Sequence, residues 1–564
     1  MKHKFNRLTV IALIALAAGC AQPIAGPPAA QLSAAKGAPL AACAELAARL
    51  QWPRTVLTSA ALVPAGTLKV SERPVAEHCL VVGRMNERLS TVDGQSYAIG
   101  FQMRLPKDWN GRFFHQGNGG LDGFVADATG AVSGGGPATS ALEQGFAVLS
   151  SDAGHTARQL PIFGRDPQAR LDYGYAAVGT LTPMARQVIA LAYGKGPDRS
   201  YFGGCSNGGR HAMVAASRYA ADYDGILAGN PGFNLPKAAL AQLYGAQQFA
   251  TVATASDLAT AVTPAERKLL AERVLARCDA LDGASDGMVQ DIAACRRAFD
   301  LRRDVPACSG ARDGTCLSAA QKDVLARVFD GPRLPDGKRL YASFPFDPGI
   351  AGADWASWKF VSSVTNRDPV AVAYVFQTPP TTAEVTKDPR GFAMAFDIAR
   401  DAGTINATAA PFTESSMSFM VPPTPDYAAL KRRGAKMIVF HGSADGVFSS
   451  DDTAAWYDSL RATHGDAGAA SFARLFMVPA MNHCRGGPAT DQFDLLTPLV
   501  QWVEQGVAPD RVAAQARGTG NAVPNPEVPA GWAPDRTRPL CPYPKVAHYR
   551  GSGNIERAES FECC

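Results

Sequence analysis

Two stretches of alternating strand-like and helix-like sequence, with a long segment between them that follows no such rule, constrain this chain more than any other feature. In the first, Arg112-Phe113-Phe114-His115-Gln116 reads as a strand, and so do residues 145–150, 200–204 and 225–229. Residues 176–193 and 207–219 carry apolar side chains at helical spacing. Strands that alternate with helices build a mainly parallel sheet, because each parallel pair needs a crossover and a helix supplies it. The alternation stops after Pro231. It resumes at Lys436-Met437-Ile438-Val439-Phe440 and Leu475-Phe476-Met477-Val478, with a closing helix over 494–506. The economical organisation is one α/β domain in two parts, 41–232 and 432–564, interrupted by a mostly helical insertion over 233–431.

The N-terminus sets the expected compartment. Lys2, Lys4 and Arg7 precede an apolar run over 8–18, too short to cross a bilayer as a mature helix and of the form of an export signal. The run ends Ala17-Ala18-Gly19-Cys20. Small residues before a cysteine resemble a bacterial lipobox, in which Cys20 is acylated and becomes the mature N-terminus; an ordinary signal cut nearby is the alternative. Both imply export, to the periplasm or the cell surface with a lipid at Cys20 as outer-membrane anchor, or into the medium. Residues 21–40, rich in Ala, Pro and Gly, are expected to form a flexible tether.

Export gives the twelve cysteines a meaning, since disulfides persist outside the reducing cytosol. With Cys20 taken by lipid an odd number remains, so one of Cys563 and Cys564 is expected to be spare. No Cys/His cluster has zinc spacing. The 55 basic and 51 acidic residues leave a net charge of +4 with no long basic block, which argues against nucleic acid as a partner. A 46% hydrophobic content is enough to bury a core and excludes wholesale disorder.

Gly204-Cys205-Ser206-Asn207-Gly208 contains G-x-S-x-G between a predicted strand and a predicted helix. That context suits a nucleophile elbow, a strained turn that lifts a serine hydroxyl above the sheet while small neighbours let backbone approach backbone. A serine nucleophile needs a base, and the base an orienting acid. His483 lies in the loop Pro479-Ala480-Met481-Asn482-His483 after a strand, the place for a base. His211 is too near the elbow on the nucleophile's own helix, His441 has a polar structural role as its rival, His464 looks solvated and His548 lacks strand context. Asp445 follows the strand before it and is expected to be the acid; Asp451 and Asp452 fit the start of the next helix instead. Cys205 precedes Ser206 and Cys484 follows His483, so a disulfide between them would tie the two loops together.

Cys205-Ser206, Asp445 and His483-Cys484 together resemble the CS-D-HC motif of the tannase and feruloyl esterase family, which includes the mono(2-hydroxyethyl) terephthalate hydrolases. The resemblance runs from about Cys43 to the C-terminus. It implies an α/β-hydrolase fold with a large, mostly helical lid inserted between nucleophile and acid, and ester hydrolysis through an acyl-enzyme. Ser206 would be the nucleophile, His483 the base and then the acid, and Asp445 its orienter. The oxyanion hole would use the backbone N–H of Asn207 and that of Gly119, with Gly120 in reserve, from the loop Gly117-Asn118-Gly119-Gly120. By similarity the disulfides would be Cys43–Cys79, Cys205–Cys484, Cys278–Cys295, Cys308–Cys316, and Cys541 with Cys563 or Cys564.

Three aspartates and two glycines between Cys278 and Met288 cannot form a helix interior, and converging carboxylates call for a hard cation. The stretch resembles the family's calcium loop, which implies structural Ca²⁺ held by Asp279, Asp282 and Asp286 side chains and the carbonyls of Ala284 and Met288. No organic cofactor is expected. Phe448, Trp358 and Phe376 are expected walls for an aromatic acyl group. In the terephthalate branch a lid arginine binds the substrate's free carboxylate, and the stretch 370–376 offers no basic side chain. A feruloyl- or galloyl-type ester is therefore the expected substrate, with a terephthalate half-ester as the alternative. A peptidase on the same fold and a non-catalytic, ligand-binding surface lipoprotein are the rival readings. The enzyme is expected to act as a monomer.

Overall fold

The computed structural model describes residues 31–132 and 140–564. The signal-like residues 1–20, Cys20 included, and the tether up to residue 30 lie outside the described residues.

The frame is a nine-stranded mixed sheet. In chain order its strands are β1 (Thr55–Val63), β2 (His78–Leu89), β3 (Ser96–Pro106), β4 (Arg112–Gly117), β5 (Ala147–Ser151), β6 (Arg199–Cys205), β7 (Gly225–Gly229), β8 (Lys436–Gly442) and β9 (Ala473–Val478). Across the sheet they run β9-β8-β7-β6-β4-β5-β3-β2-β1. The six from β9 to β5 are parallel; β3, β2 and β1 extend the sheet antiparallel. Every residue of β7 and β8 is buried, as central parallel strands covered on both faces require. Helices α1 (Ala177–Tyr193) and α2 (Asn207–Arg218) lie where helical spacing predicts them. The antiparallel strands β1 and β2 escaped the sequence analysis: their runs of 9 and 12 residues carry no helix between them to punctuate the pattern.

Between β7 and β8 the chain forms no strand of the sheet. Its main helices are α3 (Leu235–Ala250), α4 (Pro264–Cys278) and α5 (Ala319–Asp330). Two of them start with capping boxes, Thr263 with Glu266 and Ser318 with Gln321, each satisfying two amides a helix start would leave bare. The insertion shares one apolar cluster with Phe163, Tyr173 and Phe448 of the α/β part. Three such side chains contribute roughly 5–9 kcal/mol by burial. A rim ion pair such as Arg296–Asp451 contributes only ~0–1 kcal/mol, so apolar contact holds the seam.

Two expectations change. Residues 31–40 do not behave as a free tether: Gln31 Nε2 donates to the Val503 carbonyl at 2.9 Å, Ala35 N–H donates to Glu504 at 2.9 Å, and Ala38 pairs with Trp109. Backbone and amide donors here find fixed acceptors, which an Ala- and Pro-rich composition does not reveal. Cys541 pairs with Cys563, and Cys564 is not a spare thiol, for no described cysteine is free. The other four pairings stand as expected. Among the described residues no helix is long and apolar enough to cross a membrane.

Candidate active site

The carboxyl ends of β6, β8 and β9 point their loops to one edge of the sheet, the usual place for a site in a parallel α/β fold. Ser206 sits between β6 and α2 with φ 66° and ψ −126°, a backbone state costly for any residue but glycine. Its surroundings allow it: a Cβ on Gly208 would lie 2.3 Å from the Gly117 carbonyl oxygen, so only glycine lets the two loops close. Asp445 follows β8 and His483 follows β9.

His483 Nε2 lies 2.8 Å from Ser206 Oγ, and its Nδ1 lies 2.7 Å from Asp445 Oδ2. A carboxylate only accepts, so Nδ1 carries the proton and Nε2 is left to accept from the serine hydroxyl. Asp445 is buried and heavily hydrogen-bonded. Asn230 Nδ2 donates to Oδ2 at 2.7 Å, and the Val447 and Phe448 amides donate to Oδ1 at 2.8 and 2.9 Å. His441 Nε2 stands 3.3 Å from Oδ2. Burial alone would push this carboxyl up; the imidazoles of His483 and His441 outweigh it and hold the group well below the usual carboxylate range. Asp451 and Asp452 lie in the first turn of α6 (Ser450–His464) but do not cap it: Ser449 is the cap, its side chain accepting from the Asp451 amide.

The Cys205–Cys484 disulfide joins the elbow to the histidine loop across 279 residues of sequence. Beside the imidazole stand two of the three expected aromatic walls. Trp358 and Phe448 meet His483 edge-on, with ring centroids 5.1 and 5.3 Å away. Phe376 is not with them; it is buried among the apolar residues of the insertion, at the end of the fully buried turn Val372–Phe376. The N–H groups of Asn207, Gly119 and Gly120 make no hydrogen bond to another described residue, and the space beside both glycines is open. Two hollows elsewhere, of about 390 and 620 Å³, contain none of Ser206, His483 and Asp445 in their walls.

Sequence reasoning missed Arg367. Its guanidinium lies 5.0 Å from the Trp358 ring centroid and 5.6 Å from that of Phe448, a quarter exposed, and it pairs with the buried Asp368. It lies just upstream of the stretch searched for a basic residue, and only the turn entering residues 368–371 brings it to the rings. Asn230 was also beyond reach, since nothing in strand pattern says which polar side chains share a carboxylate, and His441, a rival for the base, stands against Asp445 instead. Lys359 was missed too. It is buried beside Trp358, with Nζ 3.8 Å from the Phe344 ring centroid and 3.5 Å from Gln242 Oε1. Burial pushes its ammonium down to about 7 against the pull of Asp445 and Asp368.

In the acidic loop of the insertion two of the three aspartates are tied to protein donors. Asp279 accepts from the amides of Asp286, Gly287 and Met288 at 3.0–3.3 Å, and Asp286 pairs with Arg538. Among the described residues no three His, Cys, Asp or Glu side chains converge as a metal cluster. Asp282 differs from its neighbours: its buried Oδ2 has no partner, and burial together with the charges of Asp286 and Asp279 pushes it up to about 7. That orphaned oxygen suits a cation.

A family profile described as tannase and feruloyl esterase matches residues 79–564. The chain is 40% identical over 551 residues to a mono(2-hydroxyethyl) terephthalate hydrolase of Piscinibacter sakaiensis, covering 91% of this chain and 89% of that protein. It is 26% identical to a probable feruloyl esterase B-2 of Neosartorya fischeri over 93% of this chain and 95% of that one. Its fold is similar to that of the crystal structure of feruloyl esterase B from Aspergillus oryzae, with a TM-score of 0.71 at 24% identity, over 93% of this chain and 99% of that one.

Proposed function

The chain belongs to the tannase and feruloyl esterase family, as a carboxylic ester hydrolase for esters of aromatic acids, and on that footing we propose that Ser206, His483 and Asp445 carry the reaction. The observation that supports this most is the pair of hydrogen bonds from hydroxyl to imidazole to carboxylate, at 2.8 and 2.7 Å. Ser206 Oγ attacks the ester carbonyl as its proton passes to His483 Nε2. The negative charge that develops on the carbonyl oxygen is met by the N–H groups of Asn207 and Gly119, donors worth ~2.7–4 kcal/mol each in comparable sites. The intermediate collapses, His483 returns the proton to the departing alcohol, and an acyl-serine remains. Water then repeats the sequence, delivering its proton to His483 and releasing the aromatic acid and free Ser206.

The acyl ring lies against Trp358 and Phe448, with the helical insertion as lid over the site. A feruloyl- or galloyl-type ring needs no more than these walls. Arg367 favours a second substrate: a half-ester of an aromatic dicarboxylic acid, whose free carboxylate it would meet at the rim. The 40% identity to a terephthalate half-ester hydrolase supports the same choice. Purified protein assayed on methyl ferulate, methyl gallate, mono(2-hydroxyethyl) terephthalate and a peptide anilide, with Ser206→Ala as control, decides between them. Ester turnover that vanishes in the control is expected; turnover of the anilide alone would overturn the assignment.

Export is supported by the five described disulfides. Ca²⁺ belongs to the acidic loop, where Asp279, Asp282 and Asp286 with the carbonyls of Ala284 and Met288 would hold it and stabilise the insertion. A rise in Tm on adding Ca²⁺ that Asp282→Asn abolishes would support this; no shift would end it.

A further inference from the structure

Behind the oxyanion donors lies a second buried Asp–His pair, which takes no part in the proton transfers described above. Asp122 Oδ2 accepts from two sides, from Asn207 Nδ2 at 2.8 Å and from His211 Nε2 at 2.8 Å. The Asp122 amide in turn donates to the Gly119 carbonyl at 3.1 Å, closing a tight turn over 119–122. One residue thus shapes the glycine loop through its backbone and grips the first residue of α2 through its side chain. These are the two places from which the oxyanion donors come.

The grip is reinforced on its other side. Asn207 Oδ1 accepts from Arg210 Nε at 2.6 Å, and Tyr173 Oη lies 3.3 Å from that oxygen and 3.2 Å from the Gly120 carbonyl. Arg210 is itself fixed by the Tyr173 and Gly174 carbonyls at 2.9 and 2.8 Å. Asp122, Asn207, Arg210 and His211 are all buried. We propose that Asp122 and His211 are positioning residues of the oxyanion hole, which lock the 119–122 turn to the start of the nucleophile helix and so set the spacing of the Gly119 and Asn207 N–H groups. The inference rests on the ester-hydrolase reading of Ser206.

The electrostatics fit a part kept for function. The charged and titratable groups facing Asp122 are Arg210 and His211 on α2, His155 and Asp152 beyond β5, and Tyr173 before α1, with His115 on β4 facing His211. Burial pushes Asp122 up to about 7 while His155, Arg210 and Asn207 pull it back down. Burial, with Arg210 beside it, holds His211 well below its ordinary value, so it is a neutral ring donating one N–H. A carboxyl whose folded pKa lies above its unfolded value lowers stability at neutral pH. Ionised, Asp122 therefore carries a desolvation cost at neutral pH that His155, Arg210 and Asn207 offset only in part.

The test compares wild type, Asp122→Ala, Asp122→Asn, His211→Ala and Ser206→Ala on p-nitrophenyl acetate. It also measures the affinity of each for phenylboronic acid, in which Ser206 Oγ bonds to trigonal boron, its proton moves to His483, and a boron-bound oxygen enters the hole. Misplacing the donors by about 1 Å is expected to lower kcat roughly 10- to 100-fold in Asp122→Ala, with KM little changed. Boronate affinity should fall by a similar factor. Asp122→Asn keeps an acceptor oxygen in place and should recover most of both; His211→Ala should fall between. If Asp122→Ala does not fold, His211→Ala and Asp122→Asn carry the same comparison. Wild-type kcat in Asp122→Ala, or a fall in kcat without a fall in boronate affinity, would overturn the proposal. If wild type and Ser206→Ala hydrolyse esters equally, the hydrolase reading falls, and this inference with it.

Discussion

Cys205 and Cys484 are bonded to one another, so Ser206 and His483 each lie one residue from the same covalent link. Hydroxyl and imidazole come from segments far apart in sequence, and their 2.8 Å contact depends on two loops keeping a fixed spacing. In the chain-entropy account, closing a loop of 279 residues stabilises by on the order of 5 kcal/mol. The double variant Cys205→Ala/Cys484→Ala is expected to melt several degrees lower and to lose ~10- to 100-fold in kcat at nearly constant KM, as the near-attack geometry loosens. Steady-state kinetics beside a thermal melt check it. A double variant with wild-type kcat would mean that packing alone spaces the loops.

Asp445→Asn keeps the size of the side chain and reverses its hydrogen-bonding sense toward His483. An amide can donate to Nδ1, which favours the tautomer with its proton on Nε2, unable to accept from Ser206. A fall of ~10⁴-fold in kcat is expected. The pH dependence of stability also changes. Burial raises the Asp445 carboxyl, but His483 and His441 hold it below its unfolded value. Its contribution is therefore present above about pH 4 and is lost as pH falls below that. Melts from pH 7 to pH 3 should fall more steeply for wild type than for Asp445→Asn; parallel curves would contradict the assignment.

Arg367→Gln should separate substrates rather than weaken all of them. A charge-assisted hydrogen bond is worth ~1.5–3 kcal/mol, a factor of roughly 10–150. KM for mono(2-hydroxyethyl) terephthalate is expected to rise by about that factor, while methyl ferulate and methyl gallate, which carry no second carboxylate, change little. Equal effects on all three esters would leave Arg367 only its contacts with Asp368, Trp358 and Phe448.

What could be read from the sequence follows a physical division. Ser206, Asp445 and His483 each follow a strand of a parallel sheet, and strand ends are legible because apolar runs and their glycine-rich exits are local signals. The pairing of β1 with β2 has no such marker. Asp122 and His211 were illegible for another reason: their bond crosses 89 residues, and the spacing that placed His211 too near the elbow to serve as its base said nothing about its true partner. Arg367 and Lys359 lie in the insertion, where no periodic pattern fixes which side faces the site. The aromatic walls divide in the same way: Phe448 was placed by its closeness to Asp445, whereas Phe376 had only its type to recommend it and proved to be core.

Lys359 offers a prediction whose sign is opposite to the usual one for a cation near carboxylates. Burial against Phe344 lowers its pKa to about 7, and the attraction of Asp445 and Asp368 recovers only part of the loss. Its unfolded value is about 10.4. Below pH 7 the amine is charged in both states and the fold bears the whole cost of desolvating it. Between pH 7 and about 10.4 the unfolded chain binds more protons than the folded one, so stability rises with pH. Above that the amine is neutral in both states and the cost is gone. Lys359→Met fills a similar volume with no charge. It is expected to raise stability at pH 6–7 by on the order of a few kcal/mol, with the gain shrinking to nothing by about pH 10.5. Denaturant melts of both proteins across pH 6–10.5 decide it. A variant less stable than wild type at pH 7 would mean that the ammonium is charged in the fold and that its attraction to Asp445 and Asp368 outweighs desolvation.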